Sequence, residues 1–126
     1  MIQVYDRAIL PGEVLSSLKT DTSGSVVMHL GIVRPASEGK RLVSIEYQAE
    51  KSKAEQELST IAGEIANKWE IQDVALCRRT GKLDLGDIIL VAAVAAPHRK
   101  EAFEACRYAV ERMRTMNSMK KGEIVE

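Results

Sequence analysis

The groups able to do chemistry in this chain are mostly cations. Arg34, His98, Arg99, Arg114, Lys120 and Lys121 are the candidates. Pro97-His98-Arg99-Lys100 stands where an apolar run, Ile88 to Ala96, gives way to a helical pattern. A helix start carries partial positive charge and favours acidic side chains. Cations gathered there, beside unpaired backbone N–H groups, suit a bound anion such as phosphate. Pro97 is ordinary at such a start. Taken as residues alone, His98 and Arg99 also read as solvated surface groups. Arg34 closes an apolar strand just before Pro35. It reads either as a solvated strand end or as a planar guanidinium that grips phosphate or carboxylate with two parallel hydrogen bonds. Arg114 has its own plain reading, as a surface partner of Glu111. Together the set suits a small phosphorylated or otherwise anionic molecule. No G-x-S-x-G, phosphate loop, H-E-x-x-H or Cys/His metal set is present.

These groups must be held by strands and helices. Ile2 and Val4 alternate with Gln3 and Tyr5, as in a short strand. Pro11-Gly12-Glu13 opens a brief helix with a Val14, Leu15, Leu18 stripe. Ser25 to Val33 is nearly all apolar, as in a strand covered on both faces; His29 interrupts it and reads as a core or edge residue. Ala36 to Lys40 reads as a polar loop. Val43, Ile45 and Tyr47 alternate with polar residues, the pattern of a half-buried strand. Ala54, Leu58, Ile61, Ile65 and Trp69 then share one helix face. Val74 begins another strand, Gly81 to Asp87 reads as a connection, and Ile88 to Ala96 reads as the central strand. A last helix spans about His98 to Arg114, with Phe103, Cys106, Val110 and Met113 as its apolar stripe, helped by Ala102 and Ala109. Beyond Thr115 the periodicity is lost, and a tail over the body or over a neighbouring subunit is expected. Strands interleaved with two longer helices make an α+β or α/β domain.

Composition narrows the classes. A chain of 126 residues forms one domain and can bury a real core. The formal net charge is zero, so nucleic acid and anionic membranes are not expected partners. Aromatics make up 4% of residues, too few for a base-stacking platform. Cys77 and Cys106 have neither metal-like nor redox-like spacing and read as small core residues. With no signal peptide and no long apolar span, a reducing cytoplasm is the expected compartment.

The run PHRKEAFEACRYAVERMR, from Pro97 to Arg114, resembles the catalytic (large) subunit of molybdopterin synthase. The resemblance extends to Gly31-Ile32-Val33-Arg34, to Ile45-Glu46-Tyr47, and to Gly81-Lys82-Leu83 followed by Gly86-Asp87. In order and spacing it covers most of the chain from Gly24 to Glu123. It implies an α/β hammerhead-type single domain over residues 1–126, with a mixed or antiparallel sheet, two main helices and residues 115–126 as a tail over the active site. It also implies sulfur transfer in molybdenum cofactor biosynthesis. The substrate would be cyclic pyranopterin monophosphate and the product the molybdopterin dithiolene. The sulfur donor would be the thiocarboxylate of a ubiquitin-like small subunit ending in Gly-Gly. No metal and no resident cofactor are implied, and the assembly would be a homodimer within a heterotetramer.

Carried over position by position, the resemblance makes Lys121 and Arg114 catalytic. It makes Arg34, His98, Arg99, Lys120 and Glu123 substrate-binding. Several positions depart from the family pattern. Arg114 replaces a lysine, and arginine hardly ever yields its proton. Ser118 and Lys120 replace a proline and a tryptophan, Gly122 a cation, Arg78 a histidine, and His29 an aromatic pocket-wall residue. The resemblance therefore also admits a non-catalytic relative that binds the ubiquitin-like partner, or a phosphorylated pterin, as a scaffold or regulator.

Overall fold

The computed structural model describes residues 1–37 and 40–125. Its organising strand is β7 (Ile88–Ala96), buried from Leu90 onward and flanked on both sides. The first sheet runs β1-β5-β7-β2, using β1 (Ile2–Tyr5), β2 (Ser25–Ile32) and β5 (Asp73–Arg79). β1 pairs parallel with β5 and the other pairs are antiparallel, giving the expected mixed α/β fold. Both faces of β7 are covered, which is why its sequence is continuously apolar. α2 (Lys51–Lys68) and α3 (Arg99–Met113) cover one face, and α1 (Pro11–Ser17) the other.

α2 forms as its spacing predicts. Ala54, Leu58, Ile61 and Ile65 recur every three or four residues and are fully buried. α3 buries Ala102, Cys106, Ala109 and Met113 of its expected stripe and departs from expectation at Phe103. Ala102, Ala105, Cys106, Ala109 and Met113 face the sheet, whereas Phe103 is 61% exposed. Alanine weighs little in a hydrophobic pattern, but its small side chain lets a helix lie close to a sheet, so the alanine face won. The helices are tied together by Glu64, which accepts hydrogen bonds from Arg112 and the Tyr108 hydroxyl. Those two bonds, Arg112's first, hold the Glu64 carboxyl at about 2. Cys77 and Cys106 are buried core thiols, as expected, and burial pushes each up to about 11.

Four expectations need correction. β2 is not covered on both faces. Among the described residues it is an edge strand bonded only to β7, with Val26, Leu30 and Ile32 exposed. The connection after Thr80 contains strand β6 (Gly81–Asp84), entered and left through Gly81 (φ 96°) and Gly86 (φ 87°), values that favour glycine. In place of part of the expected polar loop, β3 (Ala36–Ser37) pairs antiparallel with β4 (Lys40–Gln48); residues 38 and 39 lie outside the described set. The tail expected after Thr115 also contains regular structure, because β8 (Lys120–Val125) pairs antiparallel with β4. β6 and β8 flank β4 and complete a second, antiparallel sheet. A small core of Val33, Ile45 and Leu83, with Tyr47 and Ile89 against it, lies where the sheets meet.

Candidate active site

A cleft of about 450 Å³ opens above that small core. Its wall is the end of β2 and the residues after it, His29 to Arg34. Gly31 permits this wall, since a Cβ there would come within 2.9 Å of the Leu90 side chain. β4 contributes Ile45 and Tyr47, β5 Arg78, β7 Ile89 and Leu90, and α3 Val110 and Arg114. β8 contributes Lys121 and Glu123. These two lie two residues apart on a strand and so share a face. Their register sets them opposite Tyr47 and Ile45 of β4. Lys121 Nζ stands 2.8 Å from Glu123 Oε1.

The cleft gathers Arg34, Arg114, Lys121 and Glu123 from the sequence-derived set. Lys120 is not among the cleft's lining residues and lines a smaller hollow with Glu46, Gln48, Lys121 and Gly122. His98 and Arg99 do not reach the cleft. His98 is the N-cap of α3 and Arg114 its C-cap. A helix of 15 residues is about 22 Å long. One chain therefore holds the two groups at opposite ends of a rod, with His98 and Arg99 exposed. Arg114 is not the partner of Glu111, whose carboxylate takes Arg107 at 3.2 Å. His29 does line the wall, as the resemblance implies for its position.

Two functional candidates were not visible as such in the sequence. Arg78 is 3% exposed and lies on the cleft floor. Its guanidinium sits 4.9 Å from the centre of the Tyr47 ring, and Nη1 donates to the Met113 carbonyl at 2.6 Å. Glu57, on α2, accepts the backbone N–H groups of Asn117 and Ser118, at 2.9 and 3.0 Å, and the Ser118 hydroxyl. It thereby fixes the turn between Arg114 and Lys121. An arginine within an apolar strand pattern was the available signal for Arg78; an acid on a charged helix face offered none. Among the described residues no cluster of His, Cys, Asp or Glu could hold a metal ion, and no helix is long and apolar enough to cross a membrane.

A family model described as MoaE protein matches residues 4–116. The chain belongs to the MoaE protein family. A molybdopterin synthase catalytic subunit from Bacillus subtilis is 39% identical over 113 residues, which is 90% of this chain and 72% of the relative. The crystal structure of molybdopterin synthase from Staphylococcus aureus superposes with a TM-score of 0.94 at 32% identity, covering 99% of this chain and 91% of that one. A Helicobacter pylori structure, described as a complex of subunits 1 and 2 of molybdopterin-converting factor, shares the fold. Its TM-score is 0.79 at 12% identity, over all of this chain and 86% of that one. The Staphylococcus aureus likeness covers nearly all of this MoaE-family chain, whereas the family model stops short of β8, which carries Lys121 and Glu123.

Proposed function

We propose that this chain is the catalytic subunit of a molybdopterin synthase. It converts cyclic pyranopterin monophosphate into molybdopterin with sulfur from the C-terminal thiocarboxylate of a ubiquitin-like partner ending in Gly-Gly. The observation that carries this reading is the convergence of Arg34, Arg114 and Lys121, from three separate elements, on one cleft. Such a cleft can hold a phosphate and a terminal carboxylate side by side through charge-assisted hydrogen bonds. Holding them together removes much of the entropic barrier to sulfur transfer. Arginines bind but do not shuttle protons. Proton transfer, or a covalent amine step, falls to Lys121, which Glu123 orients. The reaction needs no resident cofactor, since the partner brings the sulfur. A cytoplasmic location fits two unpaired, buried cysteines.

His98 and Arg99 enter a cleft of this kind from a second copy of the chain. Three features support a homodimer, which would sit inside a heterotetramer with two small subunits. Among the described residues the outer edge of β2 is unpaired, and the strand carries exposed Val26, Leu30 and Ile32. Phe103, one turn past Arg99, is exposed. His98 and Arg99 stand at the far end of α3 from the cleft.

The test is reconstitution with a thiocarboxylated ubiquitin-like subunit and cyclic pyranopterin monophosphate, assayed for dithiolene product. Wild-type chain makes product, and Lys121→Ala lowers the rate by at least about 100-fold, the scale of lost acid–base catalysis. Arg114, in place of the family lysine, favours a second reading as a non-catalytic scaffold. Partner binding without product would establish that one instead.

A further inference from the structure

We propose that Arg78 is a ligand for the phosphoryl group of the substrate, held at the floor of the cleft. The assignment rests on the synthase reading above. Arg78 is almost fully buried, yet it lines the cleft. No carboxylate among the described residues lies within ion-pair distance of it. Tyr47, through its hydroxyl, and then Glu57, from farther away, favour its charged form. A buried charge without an opposite charge is costly. The Tyr47 ring face and the Met113 carbonyl offset part of that cost. They leave Nε without an acceptor. Burial pushes the Arg78 pKa downward, but a guanidinium remains charged near neutrality.

Capping α3 would account for the Met113 bond alone. A cap needs one donor, and it needs no buried charge. A guanidinium that lines the cleft, holds only the Met113 carbonyl through Nη1 and has no carboxylate beside it is arranged for a further acceptor. A phosphoryl oxygen would supply both the acceptor and the missing negative charge. The same position carries a histidine in the family pattern that the sequence resembles. A cleft with Arg78 therefore holds its anion by a permanent cation from below, while Arg34, Arg114 and Lys121 act from the sides.

The test is an NMR titration of the full chain with inorganic phosphate, following the arginine Nε–H resonances, with acetyl-Gly-Gly as a carboxylate control. The Arg78 signal is assigned by its loss in Arg78→Lys. A saturable phosphate-induced shift of the Arg78 Nε–H supports the proposal. A shift at Arg34 with none at Arg78 overturns it and leaves the synthase reading standing. A shift at Arg78 with the peptide alone also overturns it. No shift at either arginine counts against the cleft as an anion site and so against both readings. Arg78→Gln keeps a donor for the Met113 carbonyl and removes the charge. Its phosphate dissociation constant should rise about tenfold, and an unchanged constant in a folded variant overturns the assignment.

Discussion

Arg114 and Lys121 line the same cleft, but their chemistry differs. A guanidinium stays protonated and offers a planar fork of donors, whereas an ammonium can give up a proton once desolvated. The two positions should therefore divide kinetically. Arg114→Ala should raise KM about tenfold and leave kcat within about threefold, as expected when an interaction made equally in ground and transition states is lost. Arg114→Lys should recover most of that KM. Lys121→Ala should show the opposite split, a collapse of kcat. Steady-state kinetics of the reconstituted enzyme measures both. Arg34 and Lys121 could be named from the sequence because they fall on site positions of the family it resembles; as a strand end, Arg34 alone reads equally as a solvated group. The role of Arg78 could not, because burial under the end of α3 is a property of packing and not of its neighbours in the chain.

Glu57 shows how one element fixes another. Burial alone would raise its pKa, but the Ser118 and Asn117 hydrogen bonds outweigh that effect and hold it below the ordinary carboxylate range. A depressed folded-state value means that the bonds contribute stability above the unfolded pKa, near 4.5, and lose it as pH falls through the folded value. Glu57→Gln should cost about 1 kcal/mol at pH 7, lowering Tm by about 4 °C. The gap from wild type should narrow as pH falls below the unfolded value. Thermal melts across that range test it. Helix α2 and strand β7 were legible because their burial repeats with the period of the element. β8 was not, because Lys120-Lys121-Gly122-Glu123 has no strand preference of its own and becomes a strand only by pairing with β4, far away in sequence. The exposed edge of β2 was hidden for a related reason, since apolar residues facing an absent neighbour look the same as residues in a core.

At the scale of the molecule, His98 and Arg99 are separated from Arg114 by the full length of α3. If each working cleft takes Lys121 from one copy and His98 with Arg99 from another, two dead variants can rescue each other. Lys121→Ala and His98→Ala/Arg99→Ala proteins should each be inactive alone. Mixed and allowed to exchange subunits, they should recover about a quarter of wild-type activity, because half of the dimers are mixed and each of these has one intact cleft. Recovery absent despite proven exchange would place every catalytic group within one chain. Further, if each end of that rod supplies half a site, activity becomes a matter of dosage. Where chains are scarce relative to their dimer affinity, output rises with the square of chain concentration, so halving expression quarters the flux. Near saturation the same halving costs only half.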